Sequence, residues 1–157
     1  MSVRKTTAVS HIIRDIEEGR TPEAPSEDTG SRFILRVAAD RETRERVYCL
    51  AYRVYRDRGL VPFHPKQMVL SPCDASPHTL TLLAVDRETG RDAATMTIVL
   101  DADGLPCDDI YPDEVSALRF RGRVPVEVTR LAIAPEFRNS RDLFAAMTNL
   151  ISVYSRR

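Results

Sequence analysis

The sequence contains no tryptophan, and its 157 residues include only three cysteines. Cys49, Cys73 and Cys107 form an odd, widely spaced set, which does not suit a disulfide scaffold and is typical of a reducing compartment. No apolar run reaches the length of a membrane span, and the N-terminus lacks the apolar segment of a secretory signal. Together these absences predict a soluble protein of the cytoplasm.

The charge balance excludes an obvious polyanionic partner. Lys and Arg together number 23, as do Asp and Glu, so the formal net charge is zero. Such a chain has no strong field for nucleic acid or for an anionic membrane surface. No metal site is predicted either, because His64, Cys73 and His78 share one loop but their spacing matches no zinc pattern. What the chain does have is 43% hydrophobic residues, enough to form the core of one globular domain.

The chain divides into an N-terminal arm and a domain. Residues 6–19 carry a weak helical stripe of apolar side chains. Residues 23–31, Glu-Ala-Pro-Ser-Glu-Asp-Thr-Gly-Ser, are small or polar, which is typical of a flexible linker. We therefore predict an arm and linker over 1–31 and a domain over 32–157.

The domain alternates strand and helix patterns. A long proline-rich loop at 60–78 interrupts them, and loops of this length are often functional. Strands before and after the helices, with a hairpin between them, favour an α/β or α+β fold whose mixed central sheet is flanked by helices. The predicted elements are a strand at 33–38, a helix from N-cap Asp40 to Arg58 closed by Gly59, strands at 79–86 and 91–100, a short helix at 112–119, a strand at 125–134 and a final amphipathic helix.

The strand at 125–134 carries two charges on an otherwise apolar sequence, Glu127 and Arg130. A buried charge is costly unless it has a partner or a task. Residues three apart point to opposite sides of a regular strand, whereas a single β-bulge between them would bring both to one side. The N-terminus of the following helix would offer free N–H groups and a positive dipole end to a phosphate-bearing ligand.

Residues 131–138 (Leu-Ala-Ile-Ala-Pro-Glu-Phe-Arg), in this order of elements, resemble the fourth strand and pyrophosphate loop of GNAT acyltransferases. Common GNAT members have two spaced glycines after the arginine, where this chain has Arg141 and Leu143. A closer resemblance, over about 33–157, is to the N-acyl amino acid synthases, relatives of the acyl-homoserine-lactone autoinducer synthases. The segments that carry it are Tyr48 and 53–59, 95–101, 104–111, 114–119, 122–123 and 127–133.

This resemblance implies a GNAT-like fold and an N-acyltransferase activity. A long-chain acyl group would move from an acyl carrier protein, or from a CoA thioester, to the amine of an amino acid. No cofactor would be tightly bound, because acyl-phosphopantetheine or acyl-CoA is the donor substrate. Two alternatives stay open: an autoinducer-synthase-like or other GNAT enzyme with a different amine acceptor, and a degenerate module that binds an acyl carrier without turnover. A complete GNAT-like domain continues past the last helix, so the resemblance also implies that the C-terminal part is missing and that the isolated chain is poorly active.

The candidate catalytic residues are Glu127 and Arg130. Glu127 would act as the base toward the amine, directly or through water. Arg130 would either hold the carboxylate of an amino acid in a bidentate fork or pin Glu127. The plain structural alternative is a buried Glu127–Arg130 pair with no further role.

Further candidate residues would bind the acceptor substrate or the acyl donor. Arg53, expected to face the 60–78 loop, would bind a substrate carboxylate unless it belongs to a solvated helix face. Asp74 would face the acceptor amine, as an acidic loop residue does in the autoinducer synthases, or would simply form a turn. The resemblance implies that the backbone N–H groups around Leu131 and Ile133 donate hydrogen bonds to the oxyanion of the tetrahedral intermediate. The remaining candidates, Arg138 and Arg141, would grip the phosphopantetheine phosphate or be ordinary exposed turn residues.

Overall fold

The computed structural model describes residues 32–154. The arm and linker predicted for 1–31, with their weak helix at 6–19, lie outside the described residues. The division of the chain into arm and domain therefore stays a prediction. Within 32–154, no helix is both long enough and apolar enough to span a bilayer.

A four-stranded sheet organises the domain, with its strands side by side in chain order. The α/β class is confirmed, and each element predicted within the described residues is found within one or two residues of its expected bounds. The strands are β1 (Phe33–Val37), β2 (Thr79–Asp86), β3 (Asp92–Leu100) and β4 (Val126–Ile133), and the helices are α1 (Arg41–Asp57), α2 (Pro112–Phe120) and α3 (Arg141–Tyr154). Short 3₁₀ turns lie at Pro72–Ala75 and Pro135–Phe137.

All three described strand pairings are antiparallel, whereas the sequence predicted a mixed sheet. The reason is the path of the loop at 58–78, which runs back along α1. Its Leu60 N–H donates to Tyr55 O (2.9 Å) near the end of the helix, and its Val69 N–H donates to Tyr48 O (3.3 Å) nearer the start. The chain has thus reversed direction once more before β2 begins, so β2 runs against β1.

The first helix forms as its sequence predicts. The Asp40 carboxylate accepts the Thr43 N–H at 2.8 Å and so satisfies a donor that the first turn leaves free. At the other end Gly59 adopts φ +70°, the left-handed conformation that ends a helix cheaply only for glycine. The buried stripe of α1 is Val47, Tyr48, Leu50, Ala51, Tyr52 and Val54.

Apolar side chains form two clusters. The main core joins β1–β4 with α1 and α3, and α3 contributes the fully buried Leu143 and Met147. A smaller cluster of Val99, Leu105 and Val115 lies beside the end of β3, with Cys73 and Cys107 packed against it. Glu127 lies next to this smaller cluster, because its carboxylate accepts the Cys107 N–H.

Asp86, at the end of β2, gives the fold an acid-sensitive contact. Its fully buried carboxylate accepts Arg32 Nε at 2.8 Å and the Thr89 hydroxyl at 2.7 Å. These contacts lower the pKa of Asp86 from 3.8 to about 2, and the hydrogen bond from Arg32 is the largest cause. A lowered folded-state pKa stabilises the protein fully above the unfolded-state value, and that contribution disappears as the pH falls through about 2.

We therefore expect the free energy of unfolding to fall between about pH 4 and pH 2, and Asp86→Asn to remove much of this dependence. Urea titrations across that pH range measure it. The exposed Asp109→Asn is the matched control and should keep the wild-type slope. An unchanged slope in Asp86→Asn would contradict the assignment.

Candidate active site

A β-bulge lies at the charged part of β4. The register against β3 shifts between Thr95 and Thr97, so that Met96 faces two residues, Arg130 and Leu131. Arg130 has φ +50°, a left-handed conformation that is uncommon for a residue with a side chain and suits the first residue of a bulge. A bulge is thus present, but it falls on Arg130 and Leu131, because Glu127 to Thr129 stay in regular register against β3. The sequence had left open a bulge between Glu127 and Arg130, which is a different position.

Arg130 is almost fully buried, with 4% of its side chain exposed. Its guanidinium binds Asp74 in a bidentate fork, with Nη1 donating to Oδ2 at 2.7 Å and Nη2 donating to Oδ1. Nη1 also donates to Val69 O at 3.4 Å, and the Tyr48 ring lies 5.3 Å from Cζ. The partner of Arg130 is therefore Asp74, and the alternative that Arg130 pins Glu127 is wrong. The sequence could not show this because the pair joins β4 to a loop 56 positions away.

Asp74 belongs to the 3₁₀ turn Pro72–Ala75 and also fixes that turn. Its Oδ2 accepts the Ser71 N–H at 2.8 Å, which closes the turn at its start. The neighbouring Cys73 packs against the small cluster near β3. One turn therefore contacts Arg130 through Asp74 and the surroundings of Cys107 through Cys73.

Glu127 is half-buried on β4, opposite Val99. Its Oε2 accepts the backbone N–H of Cys107 at 2.9 Å. Burial, and to a lesser degree the adjacent Glu127 carboxylate, raise the pKa of the Cys107 thiol, so the thiol stays protonated near neutral pH. Glu127 is thus a half-buried carboxylate oriented by a backbone donor, with a neutral thiol beside it.

Arg53 does not face the 60–78 loop, and that prediction is wrong. The loop follows the tyrosines of α1, and successive helix residues point about 100° apart, which turns Arg53 away from Tyr52. Arg53 instead lines a cavity of about 470 Å³ between α1, the β2–β3 hairpin and the turn after β4. In the same cavity Arg46 pairs with Asp92, with Nη2 and Oδ1 2.5 Å apart.

Residues 131–140 form the end of β4 and its connection to the N-terminus of α3. Leu131 is 42% exposed and Ile133 is half-buried. Ser140 caps α3, because its Oγ accepts the Leu143 N–H at 3.3 Å. Arg138 and Arg141 lie exposed on either side of this cap. The structure thus places both arginines at the end of α3 where the sequence expected a phosphate to bind.

A second cavity, of about 440 Å³, lies between the start of α1 and the loop that retraces it. Neither Arg130 nor Asp74 lines it, but it includes Tyr48, whose ring lies 5.3 Å from Arg130 Cζ. The lining residues are Ala39, Arg41, Arg44, Glu45, Tyr48, Met68 and Leu70.

The main contact that the sequence did not reveal is the one between Cys107 and Glu127. The donor is a backbone N–H, which carries no side-chain signature. The sequence signal at this place was the turn-forming Gly-Leu-Pro-Cys-Asp-Asp at 104–109. It predicts an ordered loop but does not show which residue that loop contacts.

Comparison with known proteins shows which family contains these site residues. Residues 46–157 match the profile of the family described as N-acyl amino acid synthase FeeM. The chain belongs to this family. It is therefore an N-acyltransferase, and the resemblance from sequence is confirmed. Glu127, Arg130 and Asp74 all lie inside the matched residues.

The fold agrees with this assignment to the N-acyl amino acid synthases. The solved structure of FeeM, an N-acyl amino acid synthase from uncultured soil microbes, is similar with a TM-score of 0.61 at 21% sequence identity. The similarity covers 82% of this chain and 67% of that one. Among curated proteins, none matches this sequence. The GNAT-like fold expected from sequence is thereby confirmed.

Proposed function

We propose that this synthase transfers a long-chain acyl group from a phosphopantetheine thioester to the amine of an amino acid. The donor is carried by an acyl carrier protein or by CoA. The observation that carries the proposal is the Glu127 carboxylate, oriented by Cys107 N–H on the strand that belongs to the family match. We also propose a cytoplasmic location, in keeping with three free cysteines.

Aminolysis of a thioester needs a neutral amine, a stabilised oxyanion and a proton for the leaving thiolate. As the nitrogen of the neutral amine bonds to the thioester carbon, Glu127 takes a proton from that nitrogen, directly or through one water. The carbon–sulfur bond then breaks, and the protonated Glu127 returns this proton to the leaving thiolate. A bulge leaves one residue out of the regular ladder, so the backbone N–H groups around Leu131 and Ile133 are the proposed oxyanion donors.

The phosphopantetheine arm of the acyl donor is proposed to bind along the edge of β4 that faces away from β3. Among the described strands, β4 pairs with β3 on one side and forms the edge of the sheet on the other. The amides of pantetheine can bond to such an edge as an added strand would. The phosphate then reaches the N-terminus of α3, where Arg138 and Arg141 provide charge.

The acceptor is proposed to enter beside the Arg130–Asp74 pair, in the cavity that includes Tyr48. The fork of Arg130 is filled by Asp74, so Arg130 shapes the site and binds a substrate carboxylate only if Asp74 moves to the amine. Arg44 lines this cavity and supplies a second cation for the carboxylate, with Met68 and Leu70 as apolar walls. Arg53 lines the other cavity and has no part in this proposal.

The decisive experiment is a mass-spectrometric assay of the full chain with acyl carrier protein and acyl-CoA donors against a panel of amino acids. We expect N-acyl amino acid product. A product formed only on other amines would favour an autoinducer-synthase-like or general GNAT acceptor. Donor binding without any amide product would instead support the carrier-binding module.

Replacing Arg138 and Arg141 together with alanine tests the phosphate contact. We expect the donor KM to rise about 10-fold with kcat unchanged, because a charge-assisted contact to the phosphate is lost while the reacting atoms are not touched. Steady-state kinetics with acyl-CoA measure it. Arg36→Ala, an exposed arginine on β1, is the control. An unchanged donor KM would exclude these arginines from the donor site.

A further inference from the structure

Arg119, near the end of α2, ties together two segments that flank the small apolar cluster. Its Nε and Nη2 donate to the two carboxylate oxygens of Asp101, each at 2.6 Å. Nη2 also donates to Asp108 Oδ2 at 2.8 Å. Asp101 directly follows β3 and Asp108 belongs to the next turn, so one guanidinium spans the end of a strand, a turn and a helix.

The turn held in this way is tightly built. Asp108 Oδ2 accepts the Leu105 N–H at 2.8 Å as well as the bond from Arg119. Gly104 has φ +97°, and a Cβ there would lie 3.1 Å from Asp108 Oδ2. The hydrogen bond from Arg119 is also the main reason that the pKa of Asp108 lies below its ordinary value. The carboxylate therefore stays charged and bound.

This turn presents the backbone donor to the candidate base. Cys107 lies between the two ends of the turn, and its N–H donates to Glu127 Oε2 at 2.9 Å. A shift of the turn by a few tenths of an ångström would weaken this bond, because hydrogen bonds depend steeply on distance and angle. The chain of contacts thus runs from Arg119 through Asp108 to Cys107 and ends on Glu127.

Apolar packing attaches α2 through Val115, its one buried residue, whereas Phe120 is 94% exposed. The Arg119 side chain is about one-third exposed, whereas that of its bidentate partner Asp101 is 9% exposed. Because this ionic clamp joins the end of β3, the turn and α2, it fixes the position of the turn.

We propose that Arg119 is a positioning residue for acyl transfer, which acts through Asp108 and the Cys107 N–H to orient the Glu127 carboxylate. This inference rests on the proposed role of Glu127 as the base. Arg119 touches neither donor nor acceptor in this scheme, so its loss should change turnover and leave the KM of both substrates unchanged.

A double-mutant cycle on the full chain tests the proposal. We expect Arg119→Ala to lower kcat roughly 10-fold, a fraction of the contribution of a general base, with both KM values unchanged. Asp108→Asn should have the same effect, and Arg119→Lys, which loses the fork, should be intermediate. In the Glu127→Gln background, Arg119→Ala should cause no further loss. The matched control is Arg123→Ala, an exposed arginine four residues on.

A second readout does not depend on activity. The amide proton of Cys107 should move upfield in the NMR spectrum of Arg119→Ala, because its bond to the carboxylate lengthens, and should not move in Arg123→Ala. An equal loss of kcat in both backgrounds, or an unmoved Cys107 amide, would overturn the positioning role. If instead Glu127→Gln alone leaves turnover unchanged, the base assignment fails while the effect of Arg119 on the Cys107 amide can still be observed.

Discussion

Replacing Glu127 with glutamine is expected to lower kcat by about 100- to 10,000-fold, the usual contribution of a general base. The amide cannot take the proton of the amine, but its oxygen still accepts the Cys107 N–H that holds the carboxylate in place. The fold and the donor site should therefore be intact. Product formation measured by mass spectrometry gives kcat, and acyl-CoA binding measured by calorimetry reports the donor site.

The control for this substitution is Glu114→Gln, which makes the same change on an exposed face of α2. It should leave kcat unaltered. Unaltered turnover in Glu127→Gln would remove Glu127 from the chemistry and leave it as a structural acceptor for Cys107. Loss of turnover together with loss of donor binding would show a structural defect in place of a missing base.

Replacing Asp74 with alanine is expected to have the largest effect on stability. The change leaves the guanidinium of Arg130, 4% exposed, without its ionic partner. Breaking a buried pair from one side costs about 3–5 kcal/mol, because an uncompensated charge stays in a poorly solvated site. Urea unfolding followed by circular dichroism measures the change in the free energy of unfolding.

Two further variants make this test specific. The double replacement Asp74→Leu with Arg130→Met removes both charges and puts apolar side chains in their place, so it should recover most of the lost stability. Asp109→Ala, at an exposed position, should stay within about 0.5 kcal/mol of the wild type. A loss below about 1 kcal/mol in Asp74→Ala would mean that water solvates Arg130 once its partner is gone.

The parts of the fold that the sequence predicted depend on local chemistry. Asp40 caps α1 and Gly59 ends it because both effects act within one helical turn. The hairpin between β2 and β3 follows from alternating apolar residues and a short polar turn. Each of these signals lies inside the segment that it shapes, so one sequence is enough to find it.

The path of the long loop was not predictable in this way. The prolines predicted a loop at 60–78 but not its direction, and that direction made β2 antiparallel to β1. It also decided which face of α1 the loop covers. Arg53 was therefore expected on the wrong side. The periodicity of a helix shows which residues share a face, but it does not show which segment of the chain packs against that face.

The candidate site shows the same limit. The residues Glu127 and Arg130 were recognisable as charges on an apolar strand, and the resemblance gave them roles. Their partners are nonlocal: Asp74 lies 56 positions from Arg130, and Cys107 lies 20 positions from Glu127. A bulge placed at a non-glycine residue with φ +50° is also a tertiary outcome, because surrounding contacts must hold that conformation.

The order of the strands bears on how the chain assembles. Every described strand pairs with the strand next to it in sequence, so the sheet is a meander of low topological complexity. Closing the short turn between β2 and β3 loses little chain entropy, whereas β1 joins β2 only across a helix and a long loop. We therefore expect the hairpin of β2 and β3 to form before β1 and β4 join the sheet.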